Sequence, residues 1–463
     1  MNRSRFLLSS SAVALSACSG SGSHFSPADP YAWSAALQPS AAPVTRLEVA
    51  EFSEDAALVA AFRSGVAALR AVTNAEKTNA YDYWHNSHWM AHGTPPRSME
   101  TVWNQCRHRV SYFFGWHRGF LAYFERAIRQ ISGNPRFALP YWDYYNNPKL
   151  PHIFADPQLS NGKPNPLYWK RRRGNTISGL SYRAFAPSVA TFPFGPGETY
   201  ETVIEPNPHG HVHDQVGGSM GHVPTAAADP VFWVHHSNID RYWSAWIAAG
   251  GKRHMPPADD RWWQQWFFYN VSRSWRASVR QMNDTKHLGY VYSDLTLPKP
   301  PANAALPARP AVAALAKEHA VLPVALRNEG FTLEIPVRAQ LLQSPRLTLE
   351  LRGAELTGAG AEGGFSFGVY LNLRPAALPM SLEEAFCIGD LGPFLISMPR
   401  MASMTKAGGP TIRFALHDVL ERQRKLGFSV PDALYVSIVP RGDFQGVSST
   451  AELVRFSEIA AVG

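Results

Sequence analysis

Between residues 53 and 72 the apolar side chains Leu58, Val59, Phe62, Val66 and Leu69 recur at three and four, with Ser53 ahead of them and Glu54 and Asp55 in the first turn. That spacing predicts an amphipathic helix capped by Ser53. From Tyr81 to Pro95 a second helix is expected, with His85, His88 and His92 on one face. Gly93 and Pro95 stop it, which puts His92 at its C-terminal edge. From Cys106 to Glu125 an aromatic block of Tyr112, Phe113, Phe114 and Trp116 leads into Phe120, Leu121 and Phe124 at helical spacing. This reads as a loop delivering His108, then a helix whose first turn carries His117. Asp229 and Pro230 open another helix, apolar on one side, with His235 and His236 in its middle. Residues 262–282 read as a further aromatic helix. Residues 150–205, rich in Pro, Gly and Asn without periodicity, read as a long excursion lining the mouth of a site.

Beyond residue 323 the period changes to two. Phe331–Val337, Arg346–Leu351, Phe365–Leu373, Thr411–Leu416 and Leu434–Val439 alternate apolar and polar residues, as the strands of a β-sandwich do. The expected organisation is a tether over residues 1–23, a mainly α domain over 24–296, a Pro/Ala-rich semi-rigid linker over 297–323 and an all-β sandwich-like C-terminal domain over 324–463. At 463 residues and 45% hydrophobic content the chain has ample material for these cores. The net charge of +8 is scattered, and its one tight run, Lys170 to Arg173, sits in a loop-like context, so no nucleic-acid partner is expected. Three cysteines, Cys18, Cys106 and Cys387, are too few for a disulfide framework. Arg3 and Arg5, the apolar segment from Phe6 to Ala17 and the Leu-Ser-Ala-Cys sequence ending at Cys18 form a secretory signal. It resembles a bacterial lipoprotein cleavage site, in which Cys18 carries a lipid anchor, and implies an exported, periplasmic or membrane-anchored protein; plain secretion is the alternative.

Histidine shifts the picture toward a metal. Twelve of the 17 histidines fall between His85 and His236. His209 and His213 lie one helical turn apart, a spacing by which a helix gives two ligands to one ion. His211, between them, faces elsewhere. Adjacent helix residues diverge by about 100°, so one of His235 and His236 is expected to face that pair, with Asp240 placed one turn on to orient His236. One histidine of the 85–92 helix joins His108 and His117. Six neutral imidazoles arranged three plus three suit two copper ions: all-nitrogen donors disfavour Mg, Ca and Mn, and the Glu-x-x-His motifs of di-iron sites are missing.

The residues around these histidines resemble the type-3 copper family of tyrosinases, catechol oxidases and haemocyanins. His108, Phe113-Phe114-Gly115-Trp116-His117-Arg118, Leu121 and Glu125 follow its first copper motif. Asp229-Pro230-Val231-Phe232-Trp233, His236 and Asp240 follow the second. The resemblance spans about residues 50–245 and implies a four-helix bundle enclosing the dicopper centre. It implies His209, His213 and His236 as ligands of one copper, and His108, His117 and His92 as ligands of the other, with His88 and His85 as alternatives to His92. Cys106 matches the position of a Cys–His thioether, and Glu205 the position of a glutamate that holds a water near the coppers. Gly210 stands where hydroxylating members often have Asn, which leans toward o-diphenol oxidation over monophenol hydroxylation. Val223 falls where plant members place a bulky gate residue and implies a more open second-copper pocket. The implied activity is polyphenol oxidation, catechols to o-quinones with O2 as co-substrate and small phenols as substrates. An o-aminophenol oxidase and a haemocyanin-like O2 carrier are the alternatives, and the C-terminal domain is expected to plug the site.

Overall fold

A computed structural model describes residues 42–193, 195, 197–315, 320–321, 324–402, 410–431 and 433–463. The export segment expected at the N-terminus, Cys18 included, lies outside them. The described residues include no helix long and apolar enough to cross a membrane.

The helical domain is built on α1 (Ala56–Ala71), α2 (Tyr81–His88), α3 (Phe113–Ser132), α4 (His211–Val216) and α5 (Val231–Ala249). The cap of α1 is Asp55, whose carboxylate accepts the N–H groups of Ala57 (2.9 Å) and Leu58 (3.2 Å). Ser53 was expected there, but its hydroxyl donates to the Val49 carbonyl (2.6 Å) inside a separate short helix, Val49–Glu54. α3 and α5 form the centre, and both are buried over most of their length. Asp240 of α5 ties them together by accepting from Arg118 of α3 and from the hydroxyls of Tyr290 (2.6 Å) and Tyr292. It does not orient His236, as the spacing suggested. The carboxylate neutralises the buried guanidinium of Arg118, and Arg46 completes the cluster by bridging Asp240 and Glu125.

The helix expected over 262–282 is instead a 3-10 turn (Arg261–Gln264), a hairpin of Trp266–Phe268 with Arg276–Ser278, and one turn of helix (Val279–Met282). The run of aromatics there alternates in and out of the core with period two, and Arg273 turns the hairpin at φ 58°. This segment packs on α3: Phe267 lies over Tyr112, and Tyr269 donates to the Trp116 carbonyl (2.9 Å).

The C-terminal domain contains β1 (Val312–Leu315), β2 (Phe331–Pro336), β3 (Thr348–Arg352), β4 (Phe367–Leu371), β5 (Cys387–Leu391), β6 (Ile412–Ala415), β7 (Ala433–Pro440) and β8 (Glu458–Val462). One sheet runs β5-β4-β7-β2-β1 and the other β6-β3-β8 followed by Ala320–Val321. All five alternating segments form strands. The 297–323 stretch, expected as a linker, departs from that reading: Leu306 is buried and β1 pairs in parallel with β2. The free edge of β2 needs a partner, and a Pro-rich segment can supply one only at the sheet margin, where missing N–H groups are tolerated. After β5 the chain turns into α6 (Pro393–Ala402), an element that no periodicity in the sequence had marked.

The two domains meet over a polar seam. Gln445 donates to the Thr176 carbonyl, the Arg441 N–H bonds Ser366, and Ser366 in turn contacts His211 (2.6 Å). Asn207 donates to Asp390 (3.1 Å), and Arg173 pairs with Glu362. Two of the four residues in the Lys170–Arg173 run are therefore held: Arg173 at the seam, and Arg172 on Asp229.

Candidate metal centre

Two histidine clusters face each other inside the helical domain: His88, His108 and His117, and His209, His213, His235 and His236. Within each cluster the available ring nitrogens lie within 4.8 Å of one another. Backbone carbonyls set the tautomers. His88 Nδ1 donates to the Val223 carbonyl (3.1 Å), His117 Nδ1 to Phe113 (2.7 Å), His209 Nδ1 to Glu205 (2.9 Å) and His213 Nδ1 to Met220 (2.8 Å). A carbonyl only accepts, so each Nδ1 carries the proton and each Nε2 presents a lone pair. This is the arrangement in which a backbone partner orients a metal-binding imidazole.

His88, not His92, completes the first cluster. α2 ends at His88 because Trp89 turns extended (φ −164°, ψ 145°), and the Met90 N–H is captured by Asn104 (2.7 Å). The chain then runs out to the surface and leaves His92 exposed, away from both clusters. His85 turns aside and donates to the Pro224 carbonyl (2.8 Å). Val223, expected at the mouth of the second cluster, is buried behind the first, where its carbonyl holds His88.

His209 and His213 do converge, although Asn207 is extended (φ −153°, ψ 123°) and breaks the helix just before them. His211 faces away as expected and bridges the domains, its Nε2 donating to the Ser178 carbonyl (2.6 Å). Both members of the doublet stay close. His236 Nε2 lies 3.2 Å from His213 Nε2, and its ring stacks on His117 at 4.7 Å, so it stands between the clusters. His235 lies on the outer side, its ring parallel to His209 (5.6 Å) and near Tyr144 (5.7 Å). Divergence by 100° does not expel either residue, because α5 is buried on all sides at this point.

Burial is the main force on the electrostatics. It pushes His88, His108, His209, His213 and His236 well below the usual histidine range, and His117 to about 3, with neighbouring imidazoles adding to the effect on most of them. These rings are neutral at pH 7, as metal ligation requires. The Nε2 atoms of His88, His108, His117 and His209 are buried without a hydrogen-bond partner. Each such orphan costs about 1–3 kcal/mol, and a cation between converging lone pairs removes that cost. Seven nitrogen donors with no carboxylate among them fit a metal that favours imidazole.

An aromatic box seals the clusters. Phe113 packs on His117 (4.7 Å) and His209 (4.8 Å), and Phe232 on His236 (4.1 Å) and His88 (4.9 Å). The C-terminal domain supplies the lid. Phe394, at the start of α6, stacks on His213 (4.1 Å, 14°) and meets His209 (5.3 Å) and His108 (5.6 Å) edge-on. Its N–H bonds the Asp214 carboxylate (2.7 Å), and a Cβ at Gly392 would overlap that carboxylate. A Cβ at Gly210 would meet the Glu205 carbonyl at 3.3 Å, tighter than an ordinary contact, and the Phe394 ring at an ordinary 3.8 Å.

Glu205 is buried beside the site, and both its oxygens accept the Arg109 N–H (2.8 Å each). Burial pushes its carboxyl up to about 8 against that hydrogen bond, so it is a neutral acid at pH 7. Cys106 Sγ lies 3.4 Å from His108 Nδ1.

Residues 78–184 and 173–249 match the common central domain of tyrosinase. Over these residues the chain matches the type-3 copper family, to which the tyrosinases belong. The metal that fits the two clusters is accordingly a pair of copper ions, the cofactor of that family. Among curated relatives, a tyrosinase of Hahella sp. (strain CCB-MM4) is 33% identical over 253 residues, 46% of this chain and 53% of the relative. A chloroplastic polyphenol oxidase of Malus domestica is 32% identical over 237 residues, 41% of this chain and 39% of the relative. The chain thus spans about half the length of these relatives or less. The solved structure of latent apple tyrosinase shares the fold, with a TM-score of 0.58 at 23% identity, covering 92% of this chain and 98% of that one. The likeness of fold therefore takes in the C-terminal sheets as well as the helices that carry the histidine clusters.

Proposed function

We propose that the protein is a polyphenol oxidase that converts o-diphenols to o-quinones and is latent in the conformation described above. The observation that carries this reading is the pair of facing, neutral histidine clusters with free Nε2 atoms, closed on one side by a phenylalanine ring in the position a substrate ring would take. His88, His108 and His117 would hold one copper, and His209, His213 and His236 the other. The copper pair supplies the two-electron redox couple and the site of O2 reduction, so that two catechols and one O2 give two o-quinones and two waters.

The protein's own part is binding, proton handling and exclusion of water. Phe113, Phe232 and Trp116 keep water from the metal ligands. His213 offers an imidazole face on which Phe394 now stacks and on which a phenolic ring can stack once Phe394 leaves. Glu205, held by the Arg109 N–H, is the ionisable group beside the site that the reading assigns to exchange of the phenol proton, directly or through water, once the positive charge of bound copper has drawn its carboxyl into the carboxylate form. Gly210 leaves no side-chain amide beside Glu205, which favours catechol over monophenol. The Cys106 sulfur stands close enough to His108 to support a thioether. An intact mass lower by two hydrogens, lost on Cys106→Ala, tests that bond. The sequence before residue 24 supports export with a lipid on Cys18, which metabolic labelling with a radiolabelled fatty acid tests.

The deciding experiment is O2 uptake by the copper-loaded chain with 4-methylcatechol and with 4-methylphenol, before and after displacement of the C-terminal domain. Turnover of the catechol alone, rising on displacement, is expected. Turnover of both after a lag overturns the Gly210 argument, and reversible O2 binding without turnover overturns the enzyme reading in favour of an O2 carrier.

A further inference from the structure

Beside Glu205 a cavity of about 240 Å³ opens between the domains, with Arg109, Pro206, Ile388, Leu395 and Met398 in its wall. Two other arginines line it, and both are paired, Arg183 with Glu198 and Arg413 with Glu350. Of its acids, Glu198 is held by Arg183 and Arg422, and Asp390 by Arg441. Asp418 accepts the Glu198 N–H and lies within electrostatic reach of Arg422. Arg109 is different. Its side chain is exposed and makes no hydrogen bond or ion pair among the described residues, with Glu205 within electrostatic reach only. Glu205 bonds its backbone N–H and not its guanidinium. Arg109 also sits at φ 55°, a conformation usually left to glycine or asparagine, and it follows directly on the ligand His108. The bond from its N–H to Glu205 accounts for the backbone, and glycine would make that bond with less strain. The guanidinium is what glycine would not supply.

Building on the proposed phenol oxidation, we infer that Arg109 receives a carboxylate on the substrate, so that the preferred substrates are catechols bearing a short acidic side chain. With the ring at the metal clusters, a short tail pointing outward past Glu205 would enter this cavity, where the guanidinium rooted one residue beyond His108 can receive its carboxylate and Pro206, Leu395 and Met398 offer apolar contact. A charge-assisted pair at a partly exposed arginine is expected to favour the acid about tenfold over its neutral analogue.

The test uses the copper-loaded full chain carrying Phe394→Ala, with and without Arg109→Gly, which removes the guanidinium and keeps the N–H donor to Glu205. Initial rates are measured with 3-(3,4-dihydroxyphenyl)propanoate and 4-methylcatechol. Calorimetry measures binding of 3-phenylpropanoate against 3-phenylpropanamide, neither of which is a catechol. The expected result is a kcat/KM ratio of acid to neutral substrate that falls about tenfold in Arg109→Gly, mainly through KM, with a parallel loss of the calorimetric preference. Arg109→Lys should restore part of both. An anion preference that survives Arg109→Gly makes the copper ions the receptor and overturns the inference, as does the absence of any preference in the parent. If no catechol is oxidised, the oxidase reading falls, and the calorimetric comparison alone still decides the role of Arg109.

Discussion

Replacing Phe394 by alanine is the most direct challenge to the latent reading. The ring is fully buried and makes three aromatic contacts with candidate copper ligands, His213 at 4.1 Å, His209 at 5.3 Å and His108 at 5.6 Å. Aromatic pairs of this kind are worth about 0.5–1.5 kcal/mol each, so the lid loses about 3 kcal/mol of its hold on the site, at the low end of the range for truncating a buried phenylalanine to alanine. That corresponds to roughly a hundredfold increase in the open population. The domain itself remains attached through the Asp214, His211 and Asn207 bonds. A void the size of a phenyl ring also opens over His213, so substrate gains access even without domain movement. O2 uptake with 4-methylcatechol by the full copper-loaded chain should therefore rise by about two orders of magnitude, and Phe394→Tyr, which keeps the ring, should stay close to the parent. Circular dichroism melts of each variant separate opening from unfolding. A Phe394→Ala chain that stays folded and binds copper, yet consumes O2 no faster than the parent, would refute the assignment of the lid.

Three further outcomes follow from the same geometry. His88→Ala should lower bound copper from two equivalents to about one and lower the thermal midpoint, whereas His92→Ala should change neither; metal analysis and calorimetry check this. His236→Ala should likewise lose copper that His235→Ala retains, by the same analysis. Asp240→Ala leaves the buried guanidiniums of Arg118 and Arg46 short of a partner and should cost about 3–5 kcal/mol in urea unfolding.

The seam between the domains bears on activation. A cut in the 297–304 stretch severs one connection but leaves the bonds from Gln445, Ser366, Asp390 and Phe394 in place. The nicked protein is expected to stay latent until the domains are forced apart, for instance by mild urea. Activity that rises fully on cleavage alone, with the fragments still co-eluting, would show that the seam does not hold the lid.

Chemistry that depends on short spacing is legible in the amino-acid sequence alone. His108 and His117 are nine residues apart across an aromatic block, His209 and His213 are one turn apart, and all four converge on the site. The five alternating segments of the C-terminal region form strands because period two is imposed by a sheet with one buried face. Other features depend on partners far along the chain, which local pattern does not encode. His88 displaces His92 because α2 ends where Trp89 turns extended and because a carbonyl 135 residues away, that of Val223, orients the ring. Asp240 serves the helix contact and not His236, because Arg118 of α3 and the strand carrying Tyr290 and Tyr292 reach it from two other segments. The aromatic run from 262 to 282 suits a helix or a hairpin by composition, and packing against α3 selects the hairpin. Phe394 lies in an ordinary apolar stretch, and only the docking of the C-terminal domain brings its ring onto His213. Ligand identity is thus mostly written in local spacing, while the choice among adjacent histidines and the closure of the site come from contacts between residues far apart in the chain, whose free energy exists only once the chain has folded.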